Sequence, residues 1–207
     1  NVYNHTEFEG SSVGTRFDNR SRETRIEAVQ KPWHDWNGAI GIQHATRDFQ
    51  AIGDEAFVPA SQSRDVGLFI LQDREFGDFK VEFGARHDRI RINSDGLSEL
   101  DFSANSVALG GIWKVSEDWH LSVNFDRAQR APTPEELLSD GPHIATGTYE
   151  IGDSSLDLET ANNAEIGVHW HDGRLNGKLS FYRTRYDNFI YLEDIGVEID
   201  GLPAALW

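Results

Sequence analysis

Between residues 119 and 192 the chain alternates apolar and polar positions, breaks into a long polar stretch, and alternates again. Trp119, Leu121, Val123 and Phe125 share one parity; His120, Ser122, Asn124 and Asp126 share the other. Successive side chains of a strand point to opposite faces, so this spacing predicts one apolar and one wet face. Ala164, Ile166, Val168 and Trp170 repeat the pattern against Asn163, Glu165, Gly167 and His169. Each apolar row ends in a Trp beside a short turn. An apolar outer band, aromatic girdles, a polar lumen, tight turns at one rim and long loops at the other describe the wall of a membrane-spanning β-barrel.

The rest of the chain follows the same alternation. Thr15 to Lys31 runs into a turn at Pro32 to Asn37, and Gly38 to Ile52 climbs to a loop at 53–63. Arg64 to Phe76 returns to Gly77–Asp78, a two-residue hairpin signal. Phe79, Val81, Phe83 and Ala85 then alternate with Lys80, Glu82, Gly84 and Arg86, ahead of a polar loop from Asn93 to Phe102. A strand through Val107 and Val115 closes at Ser116–Asp118. The strand from Trp119 leads to the longest loop, Gln129 to Glu159, and the strand from Thr160 to a turn at His171–Gly173. Lys178 to Leu192 forms the last strand. Its row Leu179, Phe181 continues into Arg183 and Arg185, which must sit above the hydrocarbon. Glu193 to Trp207 reads as the start of a loop. The predicted fold is all-β and antiparallel, about nine strands of roughly 10 to 15 residues. A tilted strand needs about 9 to 11 residues to cross a membrane, so this length favours a barrel over a soluble sandwich.

Composition narrows the picture. No run of apolar residues is long enough for a transmembrane helix, and a hydrophobic content of 38% suits strands that meet lipid with alternate residues only. Cysteine is absent, which removes disulfides and thiolate metal sites. A formal charge of −16, from 35 acidic and 19 basic residues, argues against a nucleic-acid partner and suggests an acidic mouth that concentrates cations. The chain opens within an alternating segment, Val2 to Phe8, so residues 1–207 are expected to be one partial barrel domain of a longer polypeptide. Open edges in lipid would leave unpaired backbone groups.

Three stretches carry a resemblance. RAQRAPTPEELL (127–138), GDSSLDLETANNAEIGVHW (152–170) and LSFYRTRYDNFIYL (179–192) are similar, in the same order, to segments of TonB-dependent outer-membrane receptors. Within that family GPHIATGTYEIG (141–152), HTEFEG with VGTRFDN (5–19) and GDEAFVP (53–59) resemble the zinc-uptake subgroup. The resemblance implies a bacterial outer-membrane protein, a barrel of about 22 strands around an N-terminal plug, and lipid and lipopolysaccharide on the outside. It also implies a TonB complex that supplies energy from within. Neither a plug, a TonB box nor a closing strand with a terminal aromatic is recognised in these residues, so the resemblance bears on the parent protein.

The expected function is active import of a scarce metal captured at the extracellular loops, with Zn²⁺ as cargo. Zinc takes His nitrogen and carboxylate oxygen, and without Cys only His, Asp and Glu can supply donors. His143 lies in the longest loop, with Glu150 seven residues on and Asp153 nearby. Asp54 and Glu55 fall on the same side, placed either to complete a shell or merely to repel one another. A siderophore or haem receptor is the alternative; haem iron wants an axial His or Tyr, and His143 with Tyr149 keeps that open. A passive porin and an outer-membrane hydrolase are the other classes. Ser122 and His120 share a lumen face, but no nucleophile motif or third member accompanies them. The lumen charges Lys80, Glu82, Arg86 and Asp88 are read either as a cross-strand ladder, as docking contacts for a plug, or as charge pairing for solubility in a wet interior.

Overall fold

The computed structural model describes residues 1–9, 11–53, 56–95 and 97–207. Seven strands pair antiparallel in chain order: β1 (Val2–Glu9), β2 (Ser12–Trp33), β3 (Trp36–Gly53), β4 (Ser61–Phe76), β5 (Phe79–Ser94), β6 (Leu100–Lys114) and β7 (Trp119–Arg130). A short helix, α1 (Pro134–Leu138), and a hairpin of β8 (Asp140–His143) and β9 (Thr148–Ile151) follow. β10 (Glu159–His171) then pairs with β7, and β11 (Asn176–Asp187) completes a nine-stranded sheet. β12 (Glu193–Ile199) and β13 (Leu202–Leu206) join β9 and β8 in a second sheet of four strands.

The register carries one apolar row across the large sheet. Phe83 faces Leu109, Leu109 faces Phe125, and Val123 faces Ile166, which faces Phe181. These side chains stand open: Leu109 is 58%, Ile166 55% and Phe181 67% exposed. The rows Phe79–Val81–Phe83 and Ile166–Val168–Trp170 are therefore not clasped in a dry core. A bare apolar face of this extent is a lipid surface. At the short-turn rim it ends in rings, with Phe79 stacked on Trp113 at 5.6 Å and Trp119 on Trp170 at 6.3 Å. Aromatic side chains of this kind sit at headgroup level.

The opposite face is the lumen, and the loops fold against it. Leu137 and Leu138 of α1 pack on Ile90, Ile92, Leu100 and Phe102 from the lumen row of β5 and β6. Phe49, Phe57 and Val58 make a second small core with Phe17 and Ala51. Lower in the lumen, Gly41 leaves room for the Phe69 ring: a Cβ at that glycine would come within 2.3 Å of it. The Arg25 guanidinium lies 4.2 Å above the same ring.

Three expectations need correction, and one open choice is decided. The turn expected at 32–37 is only His34–Asp35, at φ 49° and 66°, a left-handed pair that suits the right-handed strand twist, so Trp33 pairs directly with Trp36. The last strand of the large sheet ends at Asp187 rather than Leu192. Ile190 turns inward there, and its N–H donates to the Glu159 carboxylate at 2.9 Å. The tail from Glu193 is not a plain loop: β13 runs parallel to β9, with Ala204 and Ala205 buried at the joint. The lumen charges pair mostly along their own strands, Lys80 with Glu82, and Arg86 with Asp88 at 2.6 Å; across strands Lys80 lies 3.9 Å from Asp73 and Arg86 donates to Gln43 at 3.1 Å.

Candidate functional site

The chain leaves β7 at Arg130, and from there its residue types dictate an inward fold. Thr133 caps α1: its hydroxyl accepts from the Glu136 N–H at 3.3 Å, and the Glu136 carboxylate accepts from the Thr133 N–H at 2.7 Å. This reciprocal cap, with Pro134 at the first position, starts a helix with acidic residues in its first turn. Arg130 donates to both oxygens of Glu136, at 2.9 and 3.0 Å, and to both of Glu159, at 3.0 and 3.2 Å. Arg47 of β3 reaches Glu135 at 2.6 and 3.2 Å. The helix is thereby tied to β3, β7 and β10 at once. Gly152 closes the lock, because a Cβ there would lie 2.6 Å from the backbone of Leu137, Leu138 and Ser139.

That anchor presents the β8–β9 hairpin at the mouth of the lumen. His143 ends β8, and its Nδ1 lies 2.7 Å from Glu150 on β9. Its Nε2 is 3.7 Å from Glu7 of β1, and its ring stacks on Phe57 at 4.4 Å. The hydrogen bond to Glu150 raises the His143 pKa above its ordinary value; burial opposes it, and the charges of Glu150 and Glu7 add to it. Burial pushes Glu150 up, but the hydrogen bonds from His143 and Thr146 and the imidazolium charge hold it below the ordinary carboxylate value. The geometry is that of an imidazole set between two carboxylates, hydrogen-bonded to Glu150 and 3.7 Å from Glu7.

Rings continue from there along the lumen wall. Phe57 meets Phe17 edge-on at 6.1 Å, Phe17 meets His5 at 6.0 Å, and His5 stacks near Tyr3 at 6.5 Å. Phe49 flanks Phe17 at 6.1 Å. The run begins and ends in residues that can bind iron through nitrogen or oxygen, with phenylalanines between them.

Of the expected donors, the structure brings together His143 and Glu150. Asp153 is turned aside, its carboxylate accepting from the Ser155 N–H at 2.8 Å and hydroxyl at 2.6 Å. Asp54 and Glu55 lie outside the described residues. Tyr149 sits in register with Pro142, one position off the His143 row, and its hydroxyl donates to Asp140 at 3.0 Å. Among the described residues no three of His, Asp and Glu gather as a metal shell. The same holds for a hydrolytic site: the His120 ring stacks on His171 at 5.3 Å, and no hydrogen bond joins it to Ser122 among the described residues. Glu7 and Phe57 were not singled out from the sequence as parts of the site. Glu7 shares its parity with Tyr3 and His5, which is the one signal that could have pointed to it.

A family description, TonB dependent receptor-like, beta-barrel, matches residues 1–203. The chain belongs to the TonB-dependent receptor family. Members of that family are transport receptors in the outer membrane, and the large sheet is its barrel wall. Over 104 residues the chain is 32% identical to the hemoglobin-haptoglobin utilization protein B of Neisseria meningitidis serogroup C, covering 50% of this chain and 13% of that protein. Over 110 residues it is 24% identical to the rhizobactin receptor of Rhizobium meliloti strain 1021, covering 49% of this chain and 15% of that one. The hemophore receptor HasR of Serratia marcescens, solved with its hemophore HasA and heme, shares the fold at a TM-score of 0.70 and 16% identity, over 93% of this chain and 37% of that one. The stretches matched thus span only 13% and 15% of the length of these two curated relatives.

Proposed function

We propose that this chain is part of the barrel of an outer-membrane receptor that imports an iron chelate, with haem as the favoured cargo. Haem is a flat apolar ring whose iron takes axial His or Tyr. The observation that carries the reading is the run His143–Phe57–Phe17–His5–Tyr3, in which the buried Phe57 and its neighbour Phe17 bring His143, His5 and Tyr3, three axial candidates, together at the loop end of the lumen. The relative named for haemoglobin–haptoglobin use points the same way. A ferric siderophore is the second reading, favoured by the relative named as a rhizobactin receptor. Zinc is the weaker one. His143 Nε2 and Glu7 are two donors with Glu150 orienting the ring from Nδ1, and a zinc shell takes about four.

Residues 1–207 supply one wall in this reading. β1 and β11 would pair with further strands in the hydrocarbon, where unpaired backbone groups are not tolerated. A plug would fill the lumen and the TonB complex would pull on it; the chain does no covalent chemistry of its own. The test is to titrate the full-length receptor with haemin and follow the Soret band. Binding is expected to shift the band, and His143→Ala is expected to weaken binding about tenfold, the loss of one charge-assisted or axial contact. A receptor that leaves the haemin spectrum unmoved while binding Zn²⁺ or a ferric siderophore by calorimetry would overturn the haem reading.

A further inference from the structure

We propose that the short-turn end of the lumen carries a binding site for a borderline divalent cation such as Zn²⁺ or Cu²⁺, built from His120, His169, His171 and Asp118. Three of the chain's eight histidines fall here, at the end of the lumen away from the long loops. His169 and His171 stand two residues apart on β10, so the period of a strand puts both on the lumen face. Across the sheet, His120 of β7 is in direct register with His169. The ladder runs one step further: the His171 N–H donates to the Asp118 carbonyl at 2.9 Å, which sets Asp118 opposite His171. Asp118 shares the parity of His120, so the four residues form a square, two on each of two neighbouring chain segments. The His120 and His171 rings, on its diagonal, lie parallel with centroids 5.3 Å apart.

Zinc and copper(II) take imidazole nitrogen and carboxylate oxygen, and three imidazoles with one further donor fill a four-coordinate shell. The rings stand side by side rather than converging. His169 Nε2 leans over Gly167, 3.6 Å from where a Cβ at that glycine would lie. The backbone fixes the square, so closing it on one ion takes rotation about side-chain bonds alone. Lys114 faces His120 and Lys178 faces His169, and these two ammonium groups oppose a cation. Asp78 and Glu117 line the same hollow as Lys114, His120 and His171 and offset them, in a chain whose overall charge is −16. β7 and β10 are joined in sequence only through residues 131–158, so an ion held here clips together two strands that a long excursion separates. The assignment uses no residue of the loop-end site and is independent of the cargo.

The experiment uses the full-length receptor in detergent, freed of metal with a chelator. Zn²⁺ is titrated in by calorimetry and Cu²⁺ by electron paramagnetic resonance, which reports nitrogen ligands through their hyperfine lines. In His143→Ala, which removes the loop-end donor, one equivalent is still expected to bind with nitrogen ligation. Adding His120→Ala/His171→Ala to that variant is expected to weaken binding at least about tenfold. His171→Asn alone, at the exposed end of β10, serves if the paired variant fails to fold. Zn²⁺ is also expected to raise the unfolding temperature of the receptor, and to do so less once His120 and His171 are replaced. Equal affinity with and without the His120 and His171 substitutions would overturn the proposal. So would loss of the nitrogen-ligated signal in His143→Ala itself, which would place the ion at the loop end instead.

Discussion

At the scale of the residue, His143 and Glu150 make a pH-dependent clasp whose sign follows from their two shifts. The His143 pKa is raised by its Glu150 hydrogen bond, so its contribution is fully present below the ordinary value of 6.5 and fades as pH rises through the raised value. Burial works against Glu150, but the bonds from His143 and Thr146 bring it below 4.5; its contribution is present above that value and is lost as pH falls through the lowered one. The hairpin is therefore held best between these limits and loosens on the alkaline side. Amide exchange in β8 and β9, corrected for the intrinsic pH dependence, is expected to show more protection at about pH 6 than at about pH 8.5. Glu150→Gln is expected to shrink that difference. An undiminished difference in the variant would remove the pair as its cause.

At the scale of the element, Arg130 decides whether the loop behind β7 is anchored. Glu136 is 10% and Glu159 12% exposed, and besides the N–H groups of Thr133 and Ile190 both face this one guanidinium. Arg130→Ala would leave two close, half-hidden carboxylates without a counter-ion. Breaking a fully buried pair costs about 3–5 kcal/mol, and Arg130 is 39% exposed, so the expected loss is about 2 kcal/mol. Urea unfolding of the full-length receptor measures it, and a loss under about 0.5 kcal/mol would mean that Leu137, Leu138 and the Arg47–Glu135 pair hold the helix without it. The strands were legible in the sequence because alternation is a local signal: Trp119 to Phe125 needs no distant partner to declare its faces. His143 and Glu150 were legible as a pair for a similar reason, lying seven residues apart on one hairpin. The parallel pairing of β13 with β9 was not, because Ala205 meets Glu150 across more than fifty residues of chain. Glu7 was hidden for the same reason, since only the inward fold of the loop behind β7 brings β8 beside β1.

At the scale of the whole molecule, the two faces of one strand must answer oppositely to the same kind of change. Ile166 stands on the bare row of β10, flanked by Val123 and Phe181, while its neighbour Glu165 lies on the lumen row beside Asn124 and Tyr182. In a bilayer an arginine at Ile166 must enter hydrocarbon or bend away from it, at about 2–4 kcal/mol near the midplane. Glu165→Gln changes a group that already meets water and should stay within about 0.5 kcal/mol. In a soluble sheet the order would reverse, because Ile166 is 55% exposed and a charge there would improve solvation. Refolding of the full-length receptor into lipid vesicles across a urea series separates the two. Ile166→Arg is expected to lower the folding free energy by the larger amount, and a variant that folds as well as the unaltered receptor would mean that this face does not meet lipid.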